Sequence, residues 1–179
     1  MNFCKLEKNI VDMIQEEQLK LGYRKEAVRL YYPLQSLNRL LGTSCDTDQM
    51  CEALNEFSRY AEGRLGPMET SHQKERFCLI VSAQGSEYVN SHMEDAAFLR
   101  DFISAVSGHG VTMDEVLQQF YRYSDSVQVE KPENEDFDYL VYFRDGIPDD
   151  YRYCLTDEGG HIIYHRFTAE DYEDFRLKS

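Results

Sequence analysis

The hydrophobic pattern of this chain changes period near Ser124, and that change limits the folds open to it. Beyond Ser124, "SVQVE", "FDYLVYF", "YRYCLT" and "HIIYHRF" are short, rich in β-branched and aromatic residues, and separated by Pro, Gly, Asp and Asn. Such runs, patterned in twos, read as strands, and four in succession read as an antiparallel meander. Ahead of Ser124, most apolar residues recur at helical steps instead, so the chain must combine both kinds of layer.

The helical signals are local and chemical. Phe3, Leu6, Ile10, Ile14 and Leu21 mark one amphipathic helix that Gly22 ends. A second helical stretch runs through "RKEAVRLYY" to Pro33, after which "PLQSLNRLL" starts afresh and continues to Gly42. Asp46 with Gln49 forms a capping box for the third helix, Cys45 and Met50 can form its hydrophobic staple, and Gly63 is its natural end. "GRLGPMETSH", Gly63 to His72, reads as a linker, and "RFCLIVSAQGSEYVN" as a hairpin turning at Gln84-Gly85. Ser91 with Glu94, and Thr112 with Glu115, supply capping boxes for two further helices. Thr168 caps a last one, with Asp171 at its third position and Phe167 and Tyr172 as staple. The order ααα-ββ-αα-ββββ-α predicts an α+β fold: N-terminal helices followed by a mainly antiparallel β-sheet with helices packed on one face. A chain of 179 residues is expected to be a single domain, with a possible subdivision into a helical part, 1–65, and a sheet-containing part, 73–179.

Composition excludes several function classes. The five cysteines lack regular spacing and any C-x-x-C pair, which predicts free thiols in a reducing cytosol. Charge enters the apolar positions of "MNFCKLEKNIVDMIQEEQ" from the start, so neither a signal peptide nor a membrane span is expected. Formal net charge is −14, and residues 91–179 carry 20 of the 33 carboxylates but only 8 of the 19 Lys and Arg side chains. A phosphate backbone requires cations to displace its counterions, so nucleic acid and anionic membranes are not expected partners. A basic protein is.

The most chemical stretch is "EGGHIIYHRF", Glu158 to Phe167. On a helix, H-x-x-x-H places two imidazoles one turn apart, as metal sites require. Here two glycines precede His161 and helix capping begins only at Thr168, so the stretch reads as a strand. At strand rise, His161 and His165 share a face but lie roughly 13 Å apart, too far to ligate one ion. No metal and no cofactor is therefore expected. The register of this hairpin stays open: a turn at Glu158-Gly159 sets Arg152 opposite His165, and one at Gly159-Gly160 sets Cys154 opposite His165. Only the second brings a thiol beside an imidazole, a pair able to act in nucleophilic chemistry if an orienting group and an oxyanion site join it. Arg152 for an anionic group, His165 for proton transfer, Tyr164 and Cys154 are thus the candidate site residues. "RDGIPDD" lacks the alternating order of a calcium loop and reads as a hairpin turn. "ENEDFD", Glu133 to Asp138, reads as a solvated acidic loop. Phosphate-loop, dinucleotide, zinc-protease and nucleophile-elbow motifs are missing.

The strings "GYRKEAVRLYYPLQSLNRLLG", "FDYLVYF", "DDYRYC" and "GHIIYHRFTAEDYEDF" resemble a bacterial family from gut anaerobes catalogued as a domain of unknown function. The resemblance covers nearly the whole chain and implies one unit in a bacterial cytoplasm, with no activity, cofactor or catalytic residue to carry over. From the residues themselves the expected function is a non-catalytic, acidic, cytosolic protein-interaction module of the immunity-protein or antitoxin kind. The rival is an enzyme or small-ligand binder using the polar residues of the last hairpin.

Overall fold

The computed structural model describes residues 1–93, 96–132 and 136–178, with side chains through 176. Among them are seven helices and two antiparallel sheets, an α+β architecture as the sequence predicts. The chain divides into two compact units, Met1–Asp95 and Ala96–Ser179.

The first unit opens with α1 (Phe3–Leu21). The Asn2 side chain accepts from Lys5 N at 3.1 Å, and Leu6, Ile10 and Ile14 form its fully buried stripe. The next segment departs from expectation: Val28–Pro33 is a strand, β1, not the end of a helix. Leu30 and Tyr32 are buried while Arg29 and Tyr31 are exposed, the alternation of a pleat. A run this short carries one or two apolar positions per face, too few for periodicity to separate strand from helix, and its strand partner lies far along the chain. Pro33 then leads into α2 (Leu34–Leu41), which Gly42 ends in the left-handed conformation. α3 (Thr47–Leu65) begins with both halves of the expected box, Gln49 N to Asp46 Oδ1 at 2.9 Å and Asp46 N to Gln49 Oε1 at 3.1 Å.

Two more expectations fail together. The segment read as a linker contains β2 (Met68–Gln73), whose polar sequence and largely exposed side chains hide its strand character. It turns through Lys74 and Glu75 into β3 (Arg76–Val81), the centre of a sheet ordered β1-β3-β2. The expected turn at Gln84-Gly85 is instead the first turn of α4 (Ala83–Ser91), capped by Ser82. Gly85 is present for a different reason: a Cβ there would run into the Leu65 carbonyl and the Val81 side chain. The glycine permits close packing of α4 and needs no unusual φ. Leu30, Tyr32, Phe77, Leu79 and Val81 cover the inner face of this sheet and join the α1 and α3 stripes in one core.

In the second unit, α5 (Ala97–Val106) follows residues whose expected Ser91–Glu94 box cannot be followed, because Glu94 lies outside the described residues. Ser91 itself closes α4, its hydroxyl donating to Tyr88 O at 2.8 Å. α6 (Met113–Tyr123) carries the expected box: Glu115 N donates to Thr112 Oγ1 at 3.3 Å and Thr112 N to Glu115 Oε2 at 2.8 Å. The meander follows as β4 (Val127–Glu130), β5 (Tyr139–Phe143), β6 (Arg152–Asp157) and β7 (Ile162–Phe167), paired in that order. Of "ENEDFD", 133–135 lie outside the described residues. Phe98, Phe102 and Phe120 from the two helices meet Phe143 and Tyr153 edge-on, with Phe102 and Tyr153 centroids 4.8 Å apart. Such pairs contribute about 0.5–1.5 kcal/mol each beyond their buried area. Thr168 caps α7 (Ala169–Lys178), accepting from Asp171 N at 3.1 Å. α7 packs on the opposite face, where Tyr172 joins Phe137, Leu140 and Cys154.

Two measurements check this local chemistry. Gly85→Ala should destabilise the first unit by about 1–3 kcal/mol through overpacking. Gly63→Ala, in α3 with open space around the added methyl, should stabilise it by about 0.5–1 kcal/mol. Urea unfolding of the two variants reads opposite signs. Hydrogen bonds from the Thr112 backbone and hydroxyl hold the Glu115 carboxyl below its usual range. A depressed folded value adds stability that is complete above the unfolded value and disappears as pH falls through the folded one. Glu115→Gln, which keeps the box geometry, should therefore flatten part of the acid limb of the second unit's unfolding curve below about pH 4.5.

Candidate functional site

The candidate site residues all fall in the β6–β7 hairpin. Its turn is closed by Glu158 N donating to His161 O at 2.9 Å, with Gly159 and Gly160 both at positive φ, as a tight primed-type turn demands. The register is accordingly the second one, with Cys154 directly opposite His165 and Arg152 opposite Phe167. His161 and His165 lie one and five positions past the glycine turn, and the His161 ring faces His109 edge-on at 5.5 Å. Among the described residues, no three His, Cys, Asp or Glu side chains gather as a metal site.

Strand parity then divides the candidates. Arg152, Cys154 and His165 share the face that α7 covers in part. Cys154 is buried against Leu140 and Tyr172, whereas His165 is exposed and stacks on Phe167 at 6.2 Å. The Arg152 guanidinium lies 3.9 Å from the Tyr142 ring centroid, and Tyr142 donates to Glu130 at 2.8 Å. Burial, with that bond second, pushes the Tyr142 phenol above its ordinary value. Tyr164 is on the other face, with its ring centroid 4.8 Å from that of Phe102. The hairpin thus brings Cys154 and His165 together and directs Tyr164 away from them.

A cluster that sequence reading missed sits on the Tyr164 face. Arg166 pairs with Asp149 at 2.8 Å, and the two side chains are only 5% and 9% exposed. Tyr153 donates its hydroxyl to the same Asp149 oxygen at 3.0 Å, Tyr151 N donates to the other at 2.9 Å, and the Tyr151 ring lies 3.7 Å from the guanidinium. Arg suits this place because its flat cation can stack on a ring while donating in plane to a carboxylate. The "RDGIPDD" loop supplies Asp149, so the loop is more than a turn: it delivers the counter-charge for β7. Its Asp145 accepts from Ser126 Oγ at 2.6 Å and Ile147 N at 3.1 Å, which lowers the carboxyl's pKa, the hydroxyl contributing most.

In the first unit, a cavity of about 100 Å³ lies between α1, α4 and the segment leading to β1. It is lined by Gln18, Arg24, Glu26 and Ser86, and Gln18 Nε2 donates to Ser86 O at 2.8 Å. Metabolite-sized ligands occupy roughly 300 Å³ or more, so this space suits water and not a substrate.

Removing Arg166 should be far more damaging than removing Arg152. Arg166→Met strands a buried carboxylate and should cost about 3–5 kcal/mol. Arg152→Met gives up a half-exposed cation–π contact and should cost about 0.5–1 kcal/mol. Denaturant unfolding of the two variants measures the difference.

No curated protein and no solved structure matches the chain. The model of a family described as "Domain of unknown function, E. rectale Gene description (DUF3877)" matches residues 3–176. With nearly its whole length matched, and in keeping with the resemblance of its strings, the chain belongs to this family of unknown function.

Proposed function

We propose that the chain is a non-catalytic protein-interaction module whose acidic C-terminal half meets a basic polypeptide, in the manner of an immunity protein or an antitoxin. The observation that carries this reading is how the charges of residues 96–179 are deployed. Arg166 is buried on Asp149, Arg152 stacks on Tyr142, Arg144 donates to Ser126 O, Arg176 pairs with Glu173, and Lys131 lies over Tyr139. Arg144, Arg176 and Lys131 remain exposed, as do Arg100 and Arg122, but exposed carboxylates, Asp114, Asp125, Asp136, Asp157, Glu158 and Glu170 among them, outnumber these cations and set the sign of the surface. A field of that sign accelerates encounter with cationic partners and repels nucleic acid.

A cytosolic setting goes with this reading, supported by five free cysteines, and among the described residues no helix is long and apolar enough to cross a membrane. The enzymatic rival would need Arg152, His165 and Tyr164 to face one substrate, and the pleat assigns them to two faces of the sheet.

Native mass spectrometry of the protein isolated gently from its own cells tests the proposal. The expected result is a second, basic polypeptide whose affinity falls roughly tenfold or more as ionic strength rises from about 0.05 to 0.5 M. A partner indifferent to salt overturns it. So does a bound metabolite that disappears on His165→Ala, which returns the hairpin to enzymology.

A further inference from the structure

Among the described residues, strand β1 is an edge of its sheet, paired with β3 along one side and with no strand on the other. The bond from Leu34 N to Glu75 O, 2.7 Å, fixes the phase of that ladder. In an antiparallel pair, residues that exchange both bonds alternate with residues that turn N–H and C=O outward. Counting back from Leu34, Tyr32 and Leu30 bond to β3, while Arg29 and Tyr31 present their backbone groups to the open side. Both side chains are exposed as well, Tyr31 by 56%, as is Pro33 at the end of the strand. Beside this edge lies a groove of about 480 Å³ between α1 and β1, floored by Met13, Leu30 and Leu21, the last 69% exposed.

We propose that this edge is a homodimerisation site, in which β1 of a second copy adds antiparallel to β1 on a two-fold axis through Leu30. That register sets Arg29 opposite Tyr31 of the second copy, and Tyr31 opposite its Arg29. Both pairs are of the class whose outward N–H and C=O groups exchange bonds, so the phase of the existing ladder and the symmetry agree. Each pair also places a guanidinium beside an aromatic ring, a favourable cross-strand combination. Charge favours a second copy over other strands. Glu16, Glu17, Lys20 and Arg29 give the groove a rim of both signs, which a two-fold copy can match and a strongly basic segment cannot. One edge strand and one groove make a small interface, so the dimer is concentration-dependent. The site belongs to residues 1–95, whereas the acidic surface proposed above belongs to residues 96–179.

Sedimentation velocity of the full chain over a dilution series, with circular dichroism to check folding, tests this. Wild type should pass from a 21.0 kDa monomer to a species of twice that mass as concentration rises. Tyr31→Lys puts like charges opposite one another and should raise the dimer dissociation constant by at least about tenfold. Adding Arg29→Glu to the same chain should restore the dimer, because the introduced groups then face each other with opposite sign. That rescue belongs to this register alone: pairing centred on residue 31 would oppose two lysines in either variant. A wild type that stays monomeric, a dimer insensitive to Tyr31→Lys, or a failure of the double variant to recover overturns the proposal.

Discussion

A pleated strand sends successive side chains to opposite faces, and in the last hairpin the two-glycine turn locks which residues go where. With Cys154 opposite His165, odd and even positions acquire separate fates. Tyr153, Tyr164 and Arg166 join the aromatic layer under α5 and α6, and Cys154, His165 and Phe167 face the side of α7. A slip of one residue would drive Arg166 out of reach of Asp149 and bring a histidine into the aromatic layer. The turn therefore governs a core and a possible site at once.

The legible parts of the sequence were those whose chemistry is complete within a few residues. The boxes Asp46–Gln49 and Thr112–Glu115, and the Thr168 cap, appear where their side chains predict, because a cap needs only its own helix turn. The four-strand meander was legible for a similar reason: each strand pairs with its neighbour in sequence. β1 was not, since its partner β3 lies beyond α2, α3 and β2, and no local pattern announces such a pairing. Gly85 was misread because glycine signals a turn and a close approach equally well, and only the Leu65 carbonyl tells them apart. The hairpin residues were identified as a group, but their register needed coordinates. Arg166 escaped notice because its counter-ion sits in a loop 17 residues earlier and resembles any acidic turn.

The acidic composition also proves to have two roles. Asp138, Asp145, Asp149 and Asp157 accept backbone N–H groups, and Glu115 and Asp171 complete helix caps. These carboxylates shape turns and helix ends, the work for which short acceptor side chains are suited. A carboxylate that accepts an N–H keeps its charge, so Glu115, Asp138, Asp145 and Asp157, all exposed, shape the backbone and contribute to the unit's negative field at once.

The strand order β1-β3-β2 has a consequence for synthesis. A chain emerging from the ribosome releases β1 early, yet the central strand it requires ends at Val81, after α2, α3 and β2 have been made. Long-range pairing is slow because loop closure must precede any gain in contacts. The second unit meets no such delay, as each strand of its meander finds the preceding one already present. The half of the protein made first is therefore the half that must wait longer to close its sheet, with an apolar strand unpaired during the interval.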